Sequence, residues 1–285
     1  MEANQLPPAA AWLPAGTFDG QVALVTGGGT GLGLQISRGL AALGATTVIL
    51  SRSEEHHRPF LEEGAQRGWK VAARVLDVRD ADGVHRMADE LREEFGAPHI
   101  LVNNAAGNFV CPAERLSSRA WRAVLGIVLD GTFYCSRSFG RGMIREGRGV
   151  MLNIVATYAW TGMPGVVHSA SAKAGVLAMS RTLAAEWARH GVRVNAIAPG
   201  VFQSEGAAQR LWPDEETETR MREKVPARRF GTADEMAAQC LWLLSPASEY
   251  VTGECLVVDG GASLGQGMWE PGTAIRRDKS AGNAD

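Results

Sequence analysis

The sequence predicts an α/β fold, a single doubly wound domain on a mostly parallel sheet of seven strands. Three observations predict it. Short β-branched runs alternate with longer stretches of helical pattern, which is how helices come to cover both faces of a parallel sheet. Several of the strand runs are apolar throughout, as strands buried on both faces should be. The first of them, Val22–Thr26, runs directly into a glycine-rich turn that opens a helix.

The elements follow in order. Strands are expected at Val22–Thr26, Thr46–Ser51, Lys70–Asp77, Ile100–Asn103, Val150–Val155, Val192–Ala198 and Leu256–Val258, bounded by Gly, Asn, Asp or Pro. Helical patterns occupy Leu32–Leu43, Ala81–Phe95, Ser118–Ile144, Ala170–His190 and Thr232–Leu244. No internal repeat, low-complexity block or interdomain linker interrupts them. The domain covers 18–267. Residues 1–17, rich in Pro and Ala, read as a loose N-terminal arm, and 268–285 as a polar, mobile C-terminal tail. The polar, helix-prone stretch 203–224 breaks the alternation and reads as a lid over a substrate.

Composition narrows the function classes. Of 285 residues, 45% are hydrophobic and 21% charged, the balance of a soluble globular protein with an ample core. A formal net charge of −2 gives no basic bias toward nucleic acid or an anionic membrane. Cys111, Cys135, Cys240 and Cys255 are scattered with no CxxC spacing, which points to reduced packing residues; neither a disulfide framework nor a metal site is expected. No apolar run approaches the ~20 residues of a membrane span. The N-terminal stretch has neither signal-peptide nor transit-peptide character, so a cytoplasmic protein is expected.

The first motif is Thr26-Gly27-Gly28-Gly29-Thr30-Gly31-Leu32-Gly33. Glycines here permit the tight turn and let backbone approach a pyrophosphate, which then rests on the free N–H groups of the helix start. The strand before and helix after supply the context that a glycine pattern needs. The end of the second strand then selects the cofactor. An acidic residue there would bind a ribose 2′-hydroxyl, but this chain has Ser51-Arg52. A guanidinium beside a hydroxyl suits a 2′-phosphate, which favours NADP(H). The alternative for Arg52 is a solvated surface arginine.

The TGxxxGxG spacing resembles the short-chain dehydrogenase/reductase family, and further motifs extend that resemblance from Val22 to Gly261. It implies a Rossmann fold in which Asp77-Val78 caps the adenine amino group and Asn104-Ala105-Ala106, after Asn103, passes the adenine ribose. It also implies that Pro199-Gly200 and Phe202 lie along the nicotinamide. In Ser169-Ala170-Ser171-Ala172-Lys173, Lys173 stands where the family's lysine holds the nicotinamide ribose. The family's catalytic tyrosine, four residues before that lysine, is replaced by Ser169; thirteen residues further back, where a serine should stand, is Ala156. Tyr158, fifteen residues before Lys173, is the nearest tyrosine.

This pattern looks like the 2,4-dienoyl-CoA reductase branch, in which a tyrosine from the preceding strand end faces the site. The resemblance implies that Asn108 and Tyr158 donate hydrogen bonds to a thioester carbonyl and that Ser169 holds a water or the substrate. Hydride reaching the δ carbon of a 2,4-dienoyl thioester pushes electrons onto the carbonyl oxygen, where such donors stabilise the dienolate. Protonation at the α carbon gives a 3-enoyl thioester. The alternative for Tyr158 is a packed aromatic with its hydroxyl on a backbone group. The resemblance further implies that Arg79 and Arg210 contact the acyl-CoA and that Phe109 and Ser117 line its approach; the alternative for both arginines is solvation on loops. Where the family's proton relay uses an asparagine, this chain has Val128, with Asp130 close by.

The expected activity is therefore NADPH-dependent reduction of a conjugated enoyl-CoA in unsaturated fatty acid β-oxidation. The competing readings are an NADP(H) ketoreductase with a displaced tyrosine and a non-catalytic NADP-binding sensor. A homotetramer is expected, because family members pair through the two long helices and through the segment Val251–Gly261.

Overall fold

The structure, a computed structural model, describes residues 6–203 and 214–264. Among them β1 (Val22–Thr26), β2 (Thr46–Ser51), β3 (Val71–Val75), β4 (Ile100–Asn103), β5 (Gly149–Ile154), β6 (Val192–Pro199) and β9 (Cys255–Val258) form one seven-stranded sheet. Its order is β3-β2-β1-β4-β5-β6-β9, and every neighbouring pair is parallel. Two short strands, β7 (Phe202–Gln203) and β8 (Gly231–Thr232), pair with each other beyond the end of β6. The helices are α1 (Gly31–Ala42), α2 (Arg58–Arg67), α3 (Ala81–Phe95), α4 (Ser118–Leu125), α5 (Gly131–Glu146), α6 (Tyr158–Thr161), α7 (Val167–Trp187), α8 (Glu215–Glu223) and α9 (Ala233–Leu244).

The period of two along each strand sends alternate side chains to opposite layers. Ala23 and Val25 of β1 face a core shared with Leu32, Ile36 and Leu40 of α1 and with Met236, Cys240 and Leu241 of α9. Val22 and Leu24 face the other core, with Val84 and Leu91 of α3 and with Cys135, Phe139 and Met143 of α5. Each fully buried Leu, Ile or Phe contributes ~1.5–3 kcal/mol. α9 starts sharply because Thr232 and Glu235 form a reciprocal capping box.

Several sequence expectations need correction. The segment read as a loose arm is docked from Leu6 onward: Ala9 and Ala10 are buried against the α1–α9 core, with Leu6 and Leu13 packed on it. The pattern expected to give one helix from Ser118 to Ile144 is divided by a π turn at Gly126–Asp130. α2, which the pattern did not reveal, buries only Phe60 and Gly64, too few for a clear periodicity. Tyr158 opens the separate short helix α6 rather than ending a strand, since β5 stops at Ile154. The expected lid coincides with α8 in part, its other residues lying mostly outside the described ones, as does the tail.

Strand order reverses between β1 and β4, so a crevice opens at the carboxyl ends of these strands. Two side chains fix it. Thr26 Oγ1 accepts the backbone N–H groups of Asn104 and Ala105, each at 3.0 Å. Asn104 Nδ2 in turn donates to the Thr26 and Gly27 carbonyls at 3.0 and 3.1 Å.

Candidate active site

A cavity of about 440 Å³ occupies this crevice. Gly27, Thr30, Ser51, Arg52, Asp77, Val78, Asn104, Ala105 and Ala106, all expected on the cofactor, line it. Other expected residues shape it from behind. A Cβ at Gly33 would lie 2.3 Å from the Gly27 carbonyl oxygen, and one at Gly29 would lie 2.2 Å from that of His56. Only glycine lets the turn close that far, and the result is a helix start whose N–H groups remain free for an anion. The cavity and this cradle fit the adenosine and phosphate part of a dinucleotide.

Ser53 and His56, which sequence reasoning missed, complete the end beside Arg52. They belong to the short turn after β2, a loop with no periodicity to read. Beneath it, His57 Nε2 and Ser51 Oγ share a hydrogen bond of 2.7 Å. Burial lowers the His57 pKa below the usual imidazole range, so this histidine is neutral. Asp77 and Arg79, expected on adenine and on the acyl-CoA, are bound to each other, with Arg79 Nε donating to Asp77 Oδ1 at 2.9 Å. That guanidinium holds the Asp77 carboxyl below the usual carboxylate range.

The residues expected at the reacting end lie beyond β5. Tyr158 Oη and Ser169 Oγ share a hydrogen bond of 3.1 Å. The tyrosine is half-buried, with its partner a side chain rather than backbone. Burial raises its pKa and the Ser169 contact opposes this, so the phenol keeps its proton at neutral pH. Lys173 follows Ser169 by one helical turn and so shares its face of α7. It is 6% exposed, and Nζ donates to the Ile154 carbonyl at the end of β5. Burial pushes its pKa down to about 8.

Asn108 is exposed on the turn after β4, and its Oδ1 accepts the Phe109 N–H at 2.9 Å, which leaves the Nδ2 donors for another partner. Phe109 stacks on His168, with centroids 4.4 Å apart. Ser117 caps α4, accepting the Ala120 N–H at 3.1 Å. Val128 is buried within the π turn, whereas Asp130 is exposed. Pro199 ends β6 beside Val258, Gly200 follows it against Asp259, and Phe202 packs against the α9 core. Arg210 lies outside the described residues.

A buried polar chain behind the site was also missed. Asn103 Nδ2 donates to Ser136 Oγ and Asn153 Oδ1, and Asn153 Nδ2 donates to Ser180 Oγ at 2.8 Å. It ties β4 and β5 to α5 and α7. Asparagines inside otherwise apolar strands are the signal that could have revealed it.

The fold, the crevice at the strand-order reversal and the lysine on α7 define a nucleotide-binding oxidoreductase. A family profile described as "Enoyl-(Acyl carrier protein) reductase" matches residues 27–263. The chain belongs to the short-chain dehydrogenase/reductase family. It is 43% identical over 243 residues to the Bacillus subtilis (strain 168) protein named "Probable 2,4-dienoyl-CoA reductase [(2E)-enoyl-CoA-producing]", covering 85% of this chain and 96% of that one. It is 40% identical to the Danio rerio "Peroxisomal 2,4-dienoyl-CoA reductase [(3E)-enoyl-CoA-producing]", covering 86% of this chain and 82% of the other. Among solved structures, a short chain dehydrogenase from Bacillus anthracis is similar at 42% identity and a TM-score of 0.78, with 88% and 99% of the two chains covered. A gluconate 5-dehydrogenase from Burkholderia cenocepacia J2315, in complex with NADP and tartrate, is similar at 34% identity and a TM-score of 0.82, with 86% and 96% covered.

Proposed function

We propose that this protein is an NADPH-dependent 2,4-dienoyl-CoA reductase that serves β-oxidation of unsaturated fatty acids. The observation that carries the reading is the Tyr158–Ser169 hydrogen bond, one helical turn from Lys173. It gives the displaced tyrosine an active-site partner in the place where an ordinary ketoreductase has its acid. The names of the relatives support the same substrate class.

A bound reduced nicotinamide supplies the hydride. The residues of the chain do the rest. Thr30 and the free N–H groups of α1 receive the pyrophosphate, and Arg52, Ser51, Ser53 and His56 surround a 2′-phosphate. Lys173, protonated below pH ~8, orients the ribose. Ser169 donates to the Tyr158 oxygen, which leaves the phenolic proton for the thioester carbonyl, and Asn108 Nδ2 is the second donor. Negative charge develops on that carbonyl oxygen when the δ carbon is reduced, and two preorganised donors stabilise it by a few kcal/mol each, on the order of ~3. Tyr158, still carrying its proton, is the acid nearest the dienolate. The carbon that takes the proton sets the product: the α carbon gives a 3-enoyl thioester and the γ carbon a 2-enoyl thioester.

The test is nicotinamide absorbance with NADPH and either a 2,4-dienoyl-CoA or acetoacetyl-CoA. Turnover of the dienoyl thioester alone is expected. Turnover of acetoacetyl-CoA alone would make the protein a ketoreductase, and thermal stabilisation by NADPH without any turnover would make it a sensor.

The assembly proposed is a homotetramer. Edge strand β9 leaves Val257 41% exposed, and Phe133 of α5 is 44% exposed, as surfaces that pair with further copies would be. Light scattering at micromolar concentration should give four times the monomer mass; a monomer would refute it.

A further inference from the structure

His168 has no part in the chemistry above. Its ring is fully buried, and neither Nδ1 nor Nε2 has a hydrogen-bond partner. The Phe109 backbone lies near enough to favour the charged ring slightly, but outside hydrogen-bond geometry. An imidazole buried in this way gives up its bonds to water without a well-formed bond in return. A leucine would fill a similar volume without that cost, so stability alone does not account for histidine here. What a leucine lacks is a flat ring, and a flat ring is what Phe109 rests on, at an interplanar angle of 28°.

Phe109 is 42% exposed and immediately follows Asn108. The same turn is held at two further points. Cys111 donates its N–H to the Gly165 carbonyl at 2.8 Å. Gly165 adopts φ 81°, and a Cβ there would lie 2.9 Å from Val110. His168 is also adjacent to Ser169, so the seat of Phe109 and the partner of Tyr158 are consecutive residues in the first turn of α7.

We propose that His168 is a positioning residue: Phe109 stacks on its ring, and the stack holds Asn108 in the site near Tyr158 and Ser169. The proposal rests on the reading that Asn108 and Tyr158 serve a dienoyl thioester. It requires the ring and not the nitrogens.

The experiment compares His168→Leu with His168→Phe by steady-state kinetics on a 2,4-dienoyl-CoA, by NADPH affinity from nicotinamide fluorescence, and by melting temperature. His168→Leu should melt no lower than wild type and bind NADPH unchanged, yet lose about ten-fold in kcat, since small misplacement of a catalytic donor is enough for that. His168→Phe restores a ring and should recover most of the turnover. Should the leucine variant fail to fold, Phe109→Leu breaks the stack from its exposed side, and the loss it causes should not add to that of the histidine variants. Wild-type kcat in His168→Leu would overturn the proposal. So would equal losses in His168→Leu and His168→Phe, which would assign the effect to the nitrogens. A wild type that does not turn over dienoyl-CoA would instead defeat the functional reading.

Discussion

The two ends of the site are built differently. The adenosine end is assembled from the carboxyl ends of β1, β2, β3 and β4 and the turns that follow them, and nine of the residues expected there line one cavity. Its shape comes from a glycine turn too tight for a Cβ at Gly29 or Gly33, and from a bracket of Thr26 and Asn104 side chains on backbone groups across the point where strand order reverses. The reacting end depends on side chains meeting across separate loops. Tyr158 comes from α6, Ser169 and Lys173 from α7, and Asn108 from the turn after β4. The contrast implies that the adenosine end is sensitive at its glycines, its threonine–asparagine bracket and its charged contacts, all at strand ends, whereas the reacting end is sensitive wherever one element touches another.

The sharpest way to break that contrast is at Tyr158. Tyr158→Phe should lower turnover by ~10²–10³, the loss of one oxyanion donor, while NADPH affinity stays at the wild-type value because the cavity is untouched. Ser169→Ala should cost much less. If instead Ser169→Ala abolished turnover and Tyr158→Phe spared it, the displaced-tyrosine mechanism would be wrong.

Arg52 lines the cavity of the other end and is the charged contact proposed for the cofactor there. A charge-assisted bond to a 2′-phosphate is worth ~1.5–3 kcal/mol, or at least ten-fold in affinity. Arg52→Ala should weaken NADPH by that factor, measured by fluorescence titration, and leave NADH nearly unchanged. Equal losses for both would remove the 2′-phosphate assignment and the contrast with it.

Lys173 stands at the reacting end, where it is proposed to orient the nicotinamide ribose, and pH probes it. Because burial lowers its pKa to about 8, its charge is present below that pH and lost as pH rises through it. Affinity for NADPH should therefore fall between pH 7 and 9, by up to about ten-fold if only the charged amine binds, and binding at pH 8 should take up protons. A Lys173→Met variant should show a flatter profile. A wild-type affinity that is constant across this range would show that the amine contributes geometry but no charge.

The smallest expected effect separates a cap from a substrate contact. Ser117→Ala removes the α4 N-cap and should cost ~1 kcal/mol of stability, read from chemical denaturation. Ser117→Asp should restore it. A rise in KM for the acyl-CoA with unchanged stability would instead make Ser117 a substrate residue.

What could be read from the sequence, and what could not, follows the same division. The glycine turn, Ser51-Arg52, Asp77 and Asn104 are legible because each stands at or just beyond the carboxyl end of a strand, and parallel topology delivers strand ends to one place. His56 was not, since the turn that carries it has no pattern and reaches the cavity only by folding back onto Gly29. Asp77 and Arg79 were each legible as ligand contacts, but their pairing with each other was not.

By itself, the sequence determined the doubly wound sheet, the position of the nucleotide crevice and the absence of the usual tyrosine before Lys173. All of these rest on local pattern: periodicity of apolar residues, glycines at fixed offsets, and the identity of a residue one helical turn from a lysine. Only the tertiary structure decided that Tyr158 sits on its own short helix with its hydroxyl on Ser169, that Phe109 lies on His168, and that Lys173 loses its solvent. Those contacts join residues from different elements, and burial depends on everything packed around a group, so neither is written in any short stretch of chain.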